Sequence, residues 1–111
     1  MIQVTIRLDH LGCLEEFSVA GHSGTGNRGE DLVCAAVTVL FRTAARALQL
    51  QSDFEVHGGA SKSGKMEVQI GTVPARRREW RSGLTDVLIR GIEDLREENP
   101  KAIHLEIERD E

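Results

Sequence analysis

Cys34 and His22 are the two residues on which a chemistry could be built. A cysteine acts as a nucleophile when its thiolate is within reach, a base or proton donor stands at hydrogen-bond distance, and donors await the oxyanion. His22 and Cys34 are separated by eleven residues, and four of the nine residues 21–29 (Gly21, Gly24, Gly26, Gly29) are glycine. Such a loop can fold a histidine over a neighbouring helix start, and its exposed N–H groups can meet an oxyanion. His22 would then serve as base and, later, as the acid that protonates the leaving amine. A helix opening at Asp31 makes that residue the N-cap and Cys34 the third helical residue. The positive end of the helix dipole favours a thiolate there, while the charge of Asp31 opposes it. Asp31 serves as the cap or orients the imidazole. The plain structural reading stands beside this one. Val33-Cys34-Ala35-Ala36-Val37 is also what a core helix looks like, with cysteine as a small buried apolar residue and His22 as a loop residue without a role.

Other chemistries fit less well. Gly24-Thr25-Gly26-Asn27-Arg28-Gly29 is literally the G-x-G-x-x-G of dinucleotide sites, yet Glu30 and Asp31 put negative charge where a pyrophosphate would sit. The two segments before it also read as a hairpin rather than as part of a parallel unit. Ser23 has no second base to activate it. Thr38, one turn after Cys34, could line a site or bond its own helix. His10, His22, His57 and His104 show no metal-ligand spacing, so neither metal nor cofactor is expected. Cys13 reads as an ordinary strand residue, and two cysteines support neither a disulfide framework nor a cysteine-only zinc site.

The elements that must position these residues follow from periodicity. Ile2, Val4, Ile6 and Leu8 alternate as a half-buried strand, and Asp9-His10-Leu11-Gly12 reads as a turn. Residues 13–20 form a second strand with Phe17 and Val19 on one side. After a loop over 21–29, residues 31–50 form a helix whose stripe is Val33, Val37, Leu40, Phe41, Ala44 and Leu48. Strands near 54–58 and 65–71 flank a connection running from Gly58-Gly59 to Gly64. Pro74 opens a second helix with Trp80, Leu84, Val87, Leu88, Gly91 and Leu95 as its buried face. Asn99-Pro100 stops it, and Ile103, Leu105 and Ile107 alternate as a last strand. The order ββαββαβ over residues 1–111 predicts one α+β domain, a two-layer sandwich of a mixed or antiparallel sheet and two helices.

Composition bounds the partners. The 111 residues are 40% apolar and 29% charged, enough apolar material for one core and too much for a disordered chain. A net charge of −4 argues against direct nucleic-acid binding. The first residues alternate rather than form the apolar core of a signal peptide, and the run Leu32 to Phe41 is too short to span a bilayer, so a cytoplasmic protein with no membrane partner is expected. Residues 74–91 hold five arginines against two acids, and residues 92–111 hold eight acids against three bases. Arg76-Arg77-Arg78 and Arg81 read either as an anion-binding patch or as a solvated helix face.

In these residues the chain resembles the ribosomal-processing cysteine proteases called Prp. The resemblance rests on Gly21-His22, on Gly29-x-Asp31-x-Val33-Cys34-Ala35-Ala36-Val37 followed by a small hydroxyl residue, and on the His22–Cys34 separation. It extends over the whole chain, including the element order and an Asn-Pro-x-x-Ile segment at 99–103. The resemblance implies a homodimeric cysteine endopeptidase that removes an N-terminal extension from the precursor of bacterial large-subunit ribosomal protein twenty-seven. It implies Cys34 as nucleophile, His22 as general base and acid, Asp31 as a supporting residue, and a loop (Gly21, Ser23, Gly24, Gly26, Gly29) that gates the substrate. Thr38 stands where serine is usual in that family, and the middle of the loop is richer in glycine. The alternative from the residues alone is a non-enzymatic, ribosome-associated or protein-binding module in which Cys34 is core.

Overall fold

The computed structural model describes residues 1–21, 28–60 and 65–110, with the backbone alone at 28–31. Strands β1 (Ile2–Leu8) and β2 (Leu14–Ala20) form a hairpin, followed by helix α1 (Arg28–Gln49), strands β3 (Val56–Ala60) and β4 (Met66–Ile70), helix α2 (Arg78–Glu98) and strand β5 (Ile103–Arg109). The five strands make one mixed sheet in the order β3-β4-β2-β1-β5, in which β1 and β5 run parallel and the other neighbours antiparallel. This is the expected ββαββαβ order and the expected α+β sandwich. A parallel pair needs a long crossover, and here everything from β2 to α2 lies between β1 and β5.

The core forms where the alternating strand faces meet the helix stripes. Ile2, Val4 and Ile6 are at most 1% exposed, and Leu14, Phe17 and Val68 lie beside them. From α1, Val33, Val37, Phe41, Ala44 and Leu48 reach the same core, and the Phe17 and Phe41 rings meet edge to face at 5.0 Å. An 18-residue window of α1, Leu32–Gln49, has a mean hydropathy of 1.4 and is long and apolar enough to cross a membrane by length and composition. The run is thus longer than the ten residues, Leu32 to Phe41, expected from the sequence to be too short to span a bilayer. In the fold, the apolar stripe of the helix lies on the sheet.

Several elements differ from their sequence reading. The helix expected at 31–50 begins at Arg28, so Gly29 and Asp31 are inside it. Gly58 and Gly59, read as part of a turn, lie within β3, which starts at Val56 rather than near Phe54. Pro74 precedes a single 3₁₀ turn, Ala75–Arg77, before α2 proper. Val87, expected in the buried face of α2, is 68% exposed, whereas Thr85 and Ile92 are buried. The face of α2 is rotated because Thr85 is satisfied internally: its hydroxyl donates to the Arg81 carbonyl at 2.7 Å and accepts the Leu14 N–H at 2.9 Å. A polar residue that can bond at both ends is free to sit against the sheet.

Candidate functional site

The topology gathers one set of element ends around the start of α1. β2 ends at Ala20, which pairs with Gln3 near the start of β1, and Ile2 pairs with Ile103 at the start of β5. Val19 pairs with Met66 at the start of β4, and Met66 pairs with Ala60 at the end of β3. Residues 21–27 connect this edge of the sheet to α1. The C-terminus of α1 is joined to the start of β3 at the opposite end, so the helix runs from the first end to the second. At 1.5 Å per residue, Cys34 lies only about 9 Å along a helix of roughly 33 Å. It therefore belongs to the first end, which we call the thiol end.

Gly21 is the last described residue before the connection. Its φ is +95°, and a Cβ there would lie 2.5 Å from the Met1 carbonyl oxygen. Both features demand glycine. His22, Ser23, Gly24 and Gly26, the remaining residues of the expected dyad and gate, lie outside the described residues.

Cys34 is half-buried and touches the edge of the core, whereas Cys13 is 3% exposed. The expectation of an N-cap at Asp31 is corrected by the helix start at Arg28: Asp31 is the fourth helical residue and Cys34 the seventh, in the second turn. The helix dipole acts mainly within the first turn, and Cys34 stands beyond it. The position does give access. In the helical projection Cys34 and Thr38 stand together on the flank of α1 turned away from α2, whereas Leu40 on the other side rests against Gly91 of α2. Since α1 packs on β3 and α2 packs on β5 and β2, that flank looks toward the β3 side of the sheet. Thr38 is half-buried beside it. Among the described residues no group of His, Cys, Asp and Glu could hold a metal ion.

The far end explains the other residues that caught the eye in the sequence. Cys13 precedes β2 rather than lying in it, and it closes a turn: its N–H donates to Asp9 Oδ1 at 3.0 Å and its carbonyl accepts the Asp9 N–H at 2.8 Å. Burial works against ionisation of Asp9. The N–H groups of Cys13 and Leu11, with Arg81, outweigh it and hold the carboxyl below its ordinary value. Arg77 donates to Asp53 at 2.6 Å and lies 4.9 Å from the centre of the Phe54 ring. Arg81 donates to the Leu14 carbonyl at 2.8 Å. Three of the four arginines read as an anion-binding patch are thus engaged within the molecule, Arg76 also donating to Asp53 at 3.3 Å, although Arg76 and Arg78 stand exposed. Glu55 folds over Gly71, accepts the Thr72 N–H at 3.0 Å and pairs with His57 at 2.9 Å. The Thr72 N–H, then His57, lower its pKa from 4.5 to about 2.

Sequence reasoning overlooked the Thr85–Leu14 clamp, because a threonine on a helix carries no sign of a partner 71 residues away. It also overlooked the shift of β3 toward the thiol end, since Gly58-Gly59 looks like a turn. The low charge of Val56-His57-Gly58-Gly59-Ala60 was the signal available.

The fold and the thiol define a small two-layer α+β domain that presents one accessible helical cysteine beside a glycine-rich connection. The family model described as cysteine protease Prp matches residues 1–104, and the chain belongs to that family of peptide-bond hydrolases. The ribosomal processing cysteine protease Prp of Bacillus subtilis (strain 168) is 40% identical over 55 residues, a stretch that spans 50% of this chain and 49% of the Bacillus protein. The crystal structure of SMU.848 from Streptococcus mutans is similar over 98% of this chain and 95% of its own, with 29% identity and a TM-score of 0.79. The essential ribosomal processing protease Prp from S. aureus, solved with a covalently linked product peptide, shares the fold at a TM-score of 0.78 and 17% identity, over 97% of this chain and 100% of its own.

Proposed function

We propose that this chain is a cysteine endopeptidase that cuts the N-terminal extension from the precursor of large-subunit ribosomal protein twenty-seven. The observation that carries the reading is the family match over residues 1–104 together with an accessible Cys34 inside the segment that bears the family's signature. In this reading Cys34 Sγ, deprotonated by His22, attacks the scissile carbonyl carbon. The C–N bond then breaks as the protonated imidazole gives its proton to the leaving amine, leaving a thioester on Cys34. Water, deprotonated by the same histidine, attacks the thioester and releases the acid and the thiol. Backbone N–H groups of the connection that includes Gly21, Ser23, Gly24, Gly26 and Gly29 stabilise the oxyanion when the loop closes on substrate. Asp31 supports the histidine, and Thr38 lines the site beside the sulfur.

The reading includes a cytoplasmic homodimer. The exposed side chains of Val39 and Val87 support the dimer, because they line an apolar groove of about 670 Å³ between α1 and α2. Incubating the enzyme with a synthetic peptide spanning the precursor's N-terminal extension tests the activity. Cleavage at one bond, abolished by Cys34→Ala and by His22→Ala, is expected. Unchanged turnover in either variant sinks the mechanism, and an identical N-terminus of the ribosomal protein before and after maturation sinks the substrate.

A further inference from the structure

We propose that the free edge of β3 receives an extended segment of the peptide substrate as an added antiparallel or parallel strand, leading its scissile bond to Cys34. The inference rests on the protease reading above and names the surface that reading leaves open.

The sheet has two edges, β3 and β5. An edge strand presents unpaired N–H and C=O groups, and proteins blunt such edges with charge. β5 is protected in this way: His104, Glu106, Glu108 and Arg109 punctuate it, and it lies on the side of α2. β3 carries a lighter guard. Its sequence is Val56-His57-Gly58-Gly59-Ala60, in which the exposed His57, paired with Glu55 just before the strand, is the one polar side chain. An edge so lightly guarded is open to pairing with another strand.

The backbone is turned to allow that pairing. Glu55 spends both main-chain groups on the β4 side, its N–H on the Thr72 carbonyl at 3.0 Å and its carbonyl on the Gly71 N–H at 2.7 Å. In an antiparallel ladder the next residue, Val56, therefore directs its N–H and C=O outward. Among the described residues no strand lies there.

Side-chain size completes the case. Val56, Gly58 and Ala60 pair with Ile70, Val68 and Met66, whose side chains are buried beneath the helix layer. Side-chain size along β3 thus falls from valine to glycine and alanine toward the thiol end, where Gly58 and Ala60 are exposed and Gly58, with φ of +100°, interrupts the regular pleat. The flank of α1 that bears Cys34 and Thr38 looks toward this side of the sheet. A peptide paired to β3 would set alternate side chains over these small residues, and its path along the strand leads to the thiol end.

Two measurements decide it. In the first, the Cys34→Ala variant is saturated with the extension peptide, with binding followed by anisotropy, and amide hydrogen exchange is read. Exchange at residues 56–60 should slow at least tenfold while residues 103–109 stay unchanged. In the second, wild-type enzyme is given extension peptides carrying a single backbone N-methyl group at successive positions. KM should rise about tenfold at alternate positions on one side of the scissile bond, with kcat altered less. Bound peptide without protection at 56–60, or an N-methyl scan without alternation, overturns the β3 assignment while leaving the protease reading intact. Failure of the wild type both to bind and to cut any extension peptide overturns the two together.

Discussion

The two ends of this sandwich are built on opposite principles. At the far end side chains fasten main chain to main chain. Asp9 holds its own turn, Thr85 and Arg81 grip both backbone groups of Leu14, Arg77 ties Asp53 across the Phe54 ring, and Glu55 caps Thr72. The thiol end includes a run of small described residues: Ala20, Gly21, Gly58, Ala60, and on α1 Cys34 followed by Ala35 and Ala36. A glycine with φ of +95° against the Met1 carbonyl turns the chain there. The contrast teaches a division of labour. Among the described residues the side-chain ties to the main chain gather at the far end, and on the protease reading the thiol end is where a peptide would enter, beside the half-buried Cys34.

The largest contrast should appear between the two cysteines. Native protein treated with iodoacetamide should lose Cys34 at least about a hundredfold faster than Cys13, because the chemistry needs an accessible thiol and Cys13 is only 3% exposed. Peptide mapping by mass spectrometry reads both rates. Equal rates would erase the distinction between the ends.

Next come two substitutions, one at each end. Thr85→Val keeps shape and removes the hydroxyl, leaving the Leu14 N–H buried and unpaired. A loss of about 1–3 kcal/mol in urea unfolding is expected, with no change in the Cys34 alkylation rate. Gly21→Ala forces a side chain into a positive-φ residue facing a carbonyl, which should cost about 1–3 kcal/mol and, unlike Thr85→Val, should also lower turnover by moving the connection that carries His22.

The smallest effect is on acid stability. Glu55, Asp53 and Asp9 all have folded pKa values below their ordinary ones, Glu55 reaching about 2. The stability they contribute is complete above the unfolded value and is lost as pH falls through the folded one. For Glu55 the window runs from 4.5 down to about 2. Thermal melts should fall through that window, and Glu55→Gln should flatten the fall slightly without altering Cys34 reactivity at neutral pH.

Much of this was legible in the sequence where period and chemistry agreed. Ile2, Val4, Ile6 and Leu8 alternate in β1 and are all buried, and the stripe from Val33 to Leu48 is the core face of α1, with Ala45 added and Leu40 only partly buried. Signals with two meanings failed. Asp31 is a good cap on paper and Gly29 a poor helix residue, yet the helix runs through both from Arg28. Gly58 looked like a turn residue, whereas it is a strand residue with φ of +100° whose missing Cβ would lie 2.1 Å from the Glu67 carbonyl. Val87 fitted a 3.6-residue stripe, but α2 must serve both the sheet and α1, and Thr85 took the inward place because its hydroxyl found partners on two elements. Of the candidate site, the sequence offers Gly21, His22 and Cys34 in one segment; the structure describes Gly21 and Cys34, and His22 lies outside the described residues. The β3 edge carries no such local sign, because a sheet edge is made by strands far apart in the chain.

The central claim is that Cys34 carries out the chemistry at the open end, and trapping its covalent intermediate tests it most directly. Rapid acid quench of wild-type enzyme mixed with the extension peptide, followed by intact-mass and peptide-level mass spectrometry, should show an acyl adduct on Cys34 equal to the released N-terminal fragment less one water. The adduct should be absent from Cys34→Ala, whose melting temperature should lie near that of the wild type. Peptide cleavage that persists in Cys34→Ala, or an adduct mapped to Cys13, would contradict the account.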